Sequence, residues 1–258
     1  MKILVCVKQV CDNPDTITIN ESSAWIEYGP ATVFRMNRYD EYAVEEAMRI
    51  RERFPDTEVH ALSLGPARVQ STIRRALGMG VSHGIHIPLD EDRYVSPAER
   101  AWIISEAVRG RGYDLIFTGV MAEDDMEAQV GGLISSLLGY SSATGVMAEQ
   151  LFNEAGEIAV ERELEGGRRE GLILKLPAVL TIQSGINTPR YPALSHMLKA
   201  KAAPLEIIEQ SSHIPPDLSG TLRAITEPSL SAKGEFVEGT ASMKALKLLD
   251  ILHGHSFL

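Results

Sequence analysis

The chain has 258 residues, of which 44% are hydrophobic, which is enough to bury a sizeable core in one large domain or one domain with appendages. Its formal net charge is −10, and it has no dense Lys/Arg run with interleaved aromatic residues, so we do not expect a nucleic-acid partner. No apolar stretch approaches the roughly 18 residues that a membrane span needs, so we expect no membrane insertion and a cytoplasmic or mitochondrial-matrix location.

The first half of the chain alternates short apolar runs with amphipathic helical patterns. Strands are predicted at residues 2–7, 59–64, 84–88 and 114–118. Helices are predicted at residues 40–53, 68–77 and 97–108, where apolar residues recur at helical spacing. The strands are brief, apolar and bounded by glycine, proline or charge, as parallel strands buried on both faces are. Strands that alternate with helices predict an α/β fold, with a doubly wound, mostly parallel sheet and helices on both faces.

From about Ser141 the pattern changes. Residues 157–163 and 168–174 predict a β-hairpin around Gly166 and Gly167, because glycine adopts the positive φ that a tight turn requires. Another buried strand is predicted at residues 178–183.

Beyond Tyr191 the chain lacks regular alternation until a final predicted helix at residues 240–252. We therefore divide the chain into an α/β domain at 1–183 and a C-terminal arm with a terminal helix at 184–258. A segment of this composition cannot bury itself alone. It is either an arm that needs a partner's surface or a loose surface extension.

The common nucleotide-binding motifs are missing. No G-x-G-x-x-G follows the first strand and no phosphate loop is present. In open α/β sheets, ligands nevertheless bind at the carboxyl ends of strands, near a switch in strand order. Residues 6–9, 37–40 and 119–131 converge there, and the last segment leads into a predicted helix at 128–138.

The start of this predicted helix supplies free N–H groups that form an anion site. Four acidic residues precede it and can satisfy the same N–H groups without any ligand. They are Glu123, Asp124, Asp125 and Glu127.

Catalysis by the chain's own side chains has little support. Cys6 and Cys11 are too few for a disulfide framework or a four-ligand zinc site, and Cys6 is predicted to be a small buried hydrophobe. No cluster of His, Cys or carboxylates has metal-ligand spacing, and no nucleophile has an evident base. We predict no catalytic residue and no metal site.

Several ordered motifs resemble the beta subunit of electron transfer flavoproteins. They are KILVCVKQV at the start, MNRYDEYAVEEAMRI from Met36, SLGP from Ser63, RALGMG from Arg75, VERELEGG from Val160, LKLPAVLTI from Leu174, NTPRYP from Asn187 and LSHMLKAK from Leu194. The resemblance covers nearly the whole chain. It implies a Rossmann-like, adenine-nucleotide-binding fold and a heterodimer with a larger alpha subunit. In that heterodimer the alpha subunit binds most of the FAD, and the C-terminal arm of this chain contacts the alpha subunit. The pair would take electrons from an acyl-CoA or related dehydrogenase and pass them to a quinone oxidoreductase or another acceptor.

The resemblance also implies that AMP lies across the three converging segments. The implied cofactor-binding residues are Cys6, Asn37, Arg38, Tyr39, Asp40, Leu64, Gly119, Asp124, Asp125, Met126, Glu127, Ala128, Gln129 and Val130. In related bifurcating flavoproteins a second FAD replaces AMP, and the loop typically reads AIDGDTAQVG. Here it reads AEDDMEAQVG, with Asp125 in place of glycine, as in the AMP type. Asn187-Thr188-Pro189 instead looks like the bifurcating branch. We favour AMP and keep the second FAD as the alternative.

By the same resemblance, Leu194 inserts into a hydrophobic pocket of the dehydrogenase, and residues 10–13 are placed to close over one edge of the flavin. Without the resemblance, Leu194 would pack internally at the start of a helix that runs through Met197 and Leu198. A stand-alone, stress-type adenine-nucleotide-binding protein is the remaining alternative. Such a protein has no use for the long C-terminal arm, so the arm favours the electron carrier.

Overall fold

The structure is a computed structural model that describes every residue except 14–16, 21–24, 91–93, 211–214, 216–217, 219, 221, 228–233, 235 and 256–258. The chain forms two compact units, Met1–Ala224 and Ile225–Leu258. Residues 184–210, which the sequence assigns to the arm, therefore belong to the first unit. The second unit contains helix Ala241–Gly254, whose N-cap Thr240 accepts a hydrogen bond from the Met243 amide.

The described strands, in chain order, are β1 (Lys2–Cys6), β2 (Gln9–Cys11), β3 (Ile17–Asn20), β4 (Trp25–Tyr28), β5 (Phe34–Met36), β6 (Glu58–Gly65), β7 (His83–Pro88), β8 (Leu115–Gly119), β9 (Ser141–Phe152), β10 (Glu157–Glu163), β11 (Arg169–Lys175), β12 (Ala178–Ile182) and β13 (Glu206–Ile207). The described helices are α1 (Arg38–Arg53), α2 (Gln70–Met79), α3 (Pro97–Val108), α4 (Val130–Leu138), α5 (Leu194–Ala202) and α6 (Ala241–Gly254).

A large central sheet has the strand order β11-β10-β9-β12-β8-β1-β6-β7-β13 within the described chain. β1 pairs in parallel with β6 on one side and with β8 on the other. The chain builds the sheet outwards from β1 through β6 and β7, and then crosses to the other side with β8. The switch in strand order therefore lies between β1 and β8, where an open α/β sheet forms its ligand crevice.

Apolar side chains of the central strands alternate between two buried clusters. Ile3 and Val5 pack with residues of α1 and α2, whereas Leu4 packs with residues of α3 and α4. In β8, Leu115 packs in the cluster with α1 and α2, and Ile116 packs in the cluster with α3 and α4. Helices therefore cover both faces, and the predicted doubly wound α/β fold is confirmed.

The structure confirms most of the predicted elements and adds several that the sequence pattern hid. α3 spans Pro97–Val108 as predicted, and β10 and β11 form the predicted hairpin, with both glycines of its turn at φ +72°. The long strand β9 was not predicted. Gly145 adopts φ +67° near a register shift in its pairing with β12, and such an irregularity breaks the two-residue alternation that marks a strand.

Short or exposed elements account for the other differences. β2 to β5 have only three or four residues each, which is too short for a periodic signal. α5 lies in the region after Tyr191, where the sequence pattern predicted no regular element. A helix through Met197 and Leu198 appeared only in the alternative interpretation of Leu194. Its only buried residue is Ala200, so it lacks the apolar stripe by which a helix is recognised.

Candidate functional site

Three segments meet at the carboxyl ends of β1 and β8, and the Asp40 carboxylate joins them. Its Oδ2 accepts the Lys8 backbone N–H at 2.7 Å. Its Oδ1 accepts the Asn37 side-chain amide and the Gly119 backbone N–H, both at 3.0 Å. A single carboxylate therefore connects the residues after β1, the start of α1 and the end of β8.

Asp40 is almost fully enclosed, with 4% of its surface exposed. Burial raises its pKa to about 7, although the hydrogen bonds from Lys8, Asn37 and Gly119 act in the opposite direction. Both oxygens are used within the protein. Asp40 therefore shapes the predicted cofactor site by holding its segments together.

Asn37 orders the loop that follows β8. Its side-chain amide donates to the Met121 carbonyl at 2.9 Å, and its Oδ1 accepts the Glu123 backbone N–H at 3.2 Å. The side chain is buried. The segment before α1 is therefore fastened to the acidic loop at two points.

Glycine is required where two of these elements approach each other. A Cβ on Gly119 would lie 2.5 Å from Asp40 Oδ1 and 2.6 Å from Tyr39 Cβ. A Cβ on Gly131 would lie 2.5 Å from Thr181 Cγ2. The missing side chains allow α1 and α4 to close in on the ends of β8 and β12.

The N-terminus of α4 opens at this place without a side-chain cap. Its N-cap residue, Gln129, makes no capping hydrogen bond, and the first turn contains no acidic residue. The first amide of α4 that bonds back into the helix is that of Leu133, which donates to the Gln129 carbonyl. The N–H groups of residues 130–132 precede it, and Gly132 is exposed with open space around it. This terminus has the features of an anion site.

The acidic residues of the loop are held by side chains from other elements. Lys8 Nζ lies 2.6 Å from Asp124 Oδ1 and 2.7 Å from Asp125 Oδ2, and Arg100 also contacts Asp125 at 3.2 Å. Tyr94 donates to Glu127 at 3.3 Å. These acidic side chains were expected to be able to cap α4, but none of them is its N-cap residue or lies in its first turn.

Glu123 is held by two arginines. Its Oε2 accepts Arg35 Nη1 at 2.6 Å and the Arg38 backbone N–H at 3.1 Å. Although burial acts to raise the pKa of Glu123, the hydrogen bonds and charges of these arginines hold it below its usual value. The Arg38 side chain itself stays largely in solvent.

The loop that leads from Asp125 to α4 carries backbone strain. Met126 and Ala128 both have φ +53°, a left-handed conformation that residues other than glycine adopt at a cost. Met126 is exposed. Strain of this kind concentrates at functional sites, and here it leads directly into the uncapped helix.

Three of the predicted cofactor residues lie on one face of the sheet. Cys6, Leu64 and Val130 pack at the edge of the apolar cluster formed with α3 and α4. Burial and the nearby Asp40 carboxylate raise the pKa of Cys6 to about 12, so its thiol stays neutral. Cys6 therefore behaves as the small hydrophobe that the sequence predicted.

The predicted site residues thus converge on one edge of the sheet, together with polar contacts that sequence reasoning missed. Lys8 lies two residues after β1, within the predicted converging segment 6–9, but its pairing with the acidic loop was not predicted. Arg35 and Arg100 meet the loop from positions 88 and 25 residues away along the chain, a pairing that has no local sequence signal.

Leu194 lies elsewhere, at the first position of α5, and its side chain is 76% exposed. The internal packing that was the alternative for Leu194 is therefore wrong. The preceding segment is held firmly to α1. Asn187 donates to Glu46 at 2.8 Å, and Arg190 pairs with Glu45 at 2.8 Å and with Glu52 at 2.7 Å.

Two further features were searched for in the described part of the chain. No group of three or more His, Cys, Asp or Glu side chains in it is placed to hold a metal ion. None of its helices combines the length and the apolar character needed to cross a membrane.

Comparison with known proteins gives one consistent result. A family model described as the electron transfer flavoprotein domain matches residues 31–213. The chain is 35% identical to the electron transfer flavoprotein subunit beta of Bos taurus over 255 residues, which cover 97% of this chain and 98% of the relative. The subunit beta of Homo sapiens gives the same identity and coverage. The subunit beta of Bradyrhizobium diazoefficiens is 37% identical over 205 residues, 80% of each chain.

Proposed function

The chain belongs to the family of electron transfer flavoprotein beta subunits, and from that premise we propose that it forms a heterodimer with a larger alpha subunit and carries electrons on FAD held mainly by that partner. An acyl-CoA or related dehydrogenase supplies the electrons, and a quinone oxidoreductase or another acceptor receives them. The bound flavin supplies the redox chemistry. This chain's own residues bind the partner, shape the cofactor edge and hold a structural nucleotide. The protein works in the cytoplasm, or in the mitochondrial matrix of a eukaryote.

The uncapped N-terminus of α4 at the switch in strand order is the observation that carries the nucleotide assignment. The amides of Val130, Gly131 and Gly132 bind the phosphate of AMP, and the helix dipole favours its negative charge. The acids of the preceding loop do not oppose this charge strongly, because Lys8, Arg35 and Arg100 already pair with three of them. The residues present therefore fit a mononucleotide.

AMP is preferred over a second FAD because of the residue at position 125. Asp125 stands where the bifurcating loop has glycine, and its carboxylate is held in place by Lys8 and Arg100. A side chain fixed in this position takes up space that glycine would leave open to a longer ligand, so the smaller mononucleotide fits better.

Partner binding is supported by exposed apolar side chains. α6 exposes five large ones, namely Met243, Leu246, Leu248, Leu249 and Ile251. α5 exposes Leu194 and Leu198. Apolar surface of this kind marks interaction sites in soluble proteins. We assign the α6 surface to the alpha subunit and Leu194 to the dehydrogenase.

Identification of the bound nucleotides tests this function. The chain is coexpressed with an electron transfer flavoprotein alpha subunit, and the purified complex is denatured to release its cofactors. One FAD and one AMP per complex is the expected result. Two FAD would indicate the bifurcating type, and no adenine nucleotide beyond a single FAD would defeat both. A chain that binds an adenine nucleotide alone and recruits no partner would instead be the stand-alone sensor.

A further inference from the structure

A carboxyl group is buried without a full set of partners beneath the segment that precedes α5. Glu149, on β9, has a side chain that is only 1% exposed. Its Oε1 pairs with Arg53 of α1. Its Oε2 is buried and has no hydrogen-bond donor among the described residues. An ionised carboxylate in this position leaves one oxygen unsatisfied, which is costly in a buried site.

The neighbour of this carboxyl group is a second one. Glu46 lines the same cavity as Glu149 and is itself 6% exposed, and its carboxyl group acts to raise the pKa of Glu149. Two neighbouring carboxylates cannot both be ionised without strong repulsion, and Arg53 supplies a single positive charge. A proton on Glu149 turns the repulsive contact into a hydrogen bond from Glu149 to Glu46.

The other oxygen of Glu46 holds the chain that leads to Leu194. Glu46 Oε2 accepts the side-chain amide of Asn187 at 2.8 Å, and the same amide donates to the Tyr42 carbonyl at 3.0 Å. Three residues later Arg190 is bound by Glu45 and Glu52. The position of Asn187 therefore depends on where Glu46 sits, and Glu46, Glu45 and Glu52 together fasten residues 187–190 to α1.

We propose that Glu149 holds a proton and donates it in a hydrogen bond to Glu46, and that this proton positions residues 187–190 and, through them, the exposed Leu194. At lower pH the protonated Glu149 donates to Glu46 and leaves it in place to bind Asn187. At higher pH the proton passes to solvent, the two carboxylates repel each other, and the hold on Asn187 weakens. Glu149 is thus a positioning residue for the docking segment.

The surroundings of the pair allow this exchange. A cavity of about 520 Å³ is lined by Glu46, Arg49, Glu52, Arg53, Glu149 and Ile186, among others, and gives solvent a route to the carboxyl groups. The other charged groups nearby are committed to other contacts. Arg49 pairs with Glu45, Arg190 pairs with Glu45 and Glu52, and the residue opposite Glu149 on β10 is the apolar Val160. Burial, together with the carboxyl group of Glu46 and against the effect of Arg53, raises the pKa of Glu149 to about 7.

Hydrogen–deuterium exchange of the full chain tests the proposal without any partner protein. Wild type and Glu149→Gln are compared at about pH 6 and about pH 8.5, where the proton is bound and released. The glutamine is neutral at both, and its amide can donate to Glu46. We expect equal exchange of the Asn187 and Thr188 amides at the lower pH. At the higher pH the wild type should exchange about fivefold faster than the variant. The reason is that the wild type loses the hydrogen bond from Glu149 to Glu46, so the segment around Asn187 opens more often.

Glu154→Gln is the matched control, because Glu154 is an exposed glutamate just beyond β9. It should follow the wild type at both pH values. An exchange rate that does not differ between wild type and Glu149→Gln, or that differs equally at both pH values, would overturn the proposal.

A second measurement needs no variant. In wild type labelled only at glutamate carboxyl carbons, nuclear magnetic resonance should show one carboxyl group with a midpoint near 7, well above the rest. Ordinary midpoints for all glutamates would contradict the proton on Glu149. The link to docking rests on the proposed function, whereas both measurements concern the chain alone. Their failure would therefore leave that function standing.

Discussion

Asp40 Oδ1 accepts the backbone N–H of Gly119 at 3.0 Å, so a side chain from the first turn of α1 closes the end of β8. The same oxygen would lie 2.5 Å from a Cβ at position 119. The start of α1 can approach the end of β8 closely enough for this hydrogen bond only because residue 119 has no side chain. Both are needed to bring the acidic loop and α4 to the switch in strand order.

Gly119→Ala should destabilise the chain by about 1 to 3 kcal/mol, because the added methyl group collides with Asp40 and Tyr39 in a packed region. Chemical denaturation measures the free energy of unfolding. Gly132→Ala is the control, since no atom lies within 4 Å of its Cβ position. Equal losses for the two variants would show that the contact at Gly119 is not the cause.

Asp40→Asn should cost about 1 to 3 kcal/mol of stability, because the new amide turns one donor toward backbone N–H groups that need an acceptor. Faster hydrogen exchange at the Lys8 and Gly119 amides should accompany the loss. Asp56→Asn, at an exposed position just after α1, should change neither quantity. Unchanged exchange in Asp40→Asn would refute the joining role of this carboxylate.

Gly132→Asp places a carboxylate in the first turn of α4. A negative charge there favours the helix by about 0.3 to 1 kcal/mol, so the folded chain should be no less stable. The same charge competes with a phosphate, and we expect the AMP content of the purified complex to fall several-fold. Gly132→Ala should retain AMP. Full AMP content in the aspartate variant would place the phosphate elsewhere.

The stability of the chain should depend on pH through Glu149. Its pKa is about 7 when folded and 4.5 ordinarily, so between these values the folded chain binds a proton that the unfolded chain has lost. Stability contributed by that proton is complete below about pH 4.5 and declines as the pH rises toward 7. Glu149→Gln should lack this part of the decline, which amounts to about 1 to 3 kcal/mol. Parallel pH curves for wild type and variant would contradict the assignment.

Leu194→Ala should leave flavin content, AMP content and unfolding unchanged, because the side chain is exposed in the chain itself. Electron transfer from the dehydrogenase should fall by about tenfold or more, since a lost apolar contact costs roughly 1.5 to 3 kcal/mol. Ile173→Ala removes a similarly exposed side chain from β11 and should leave transfer unchanged. A stability loss in Leu194→Ala with normal transfer per folded complex would remove the docking role.

Much of this architecture was predictable because its signals are local. Buried strands such as β1 and β8 are continuous apolar runs, and α1 and α3 show helical spacing. β9 escaped prediction because a bulge breaks its alternation. The convergence of Asn37, Asp40 and Gly119 followed from the general geometry of parallel sheets, whereas the pairing of Lys8 and Arg100 with the acidic loop depends on tertiary contacts alone.

A crystal structure of the complete heterodimer tests the central claim most directly, which is that the uncapped start of α4 holds a mononucleotide in an electron transfer flavoprotein beta subunit. We predict one AMP at the switch in strand order, with its phosphate bound by the amides of Val130, Gly131 and Gly132. The FAD should lie mainly in the larger subunit. A dinucleotide at α4 would contradict the AMP assignment, and a phosphate bound away from these amides would contradict the site.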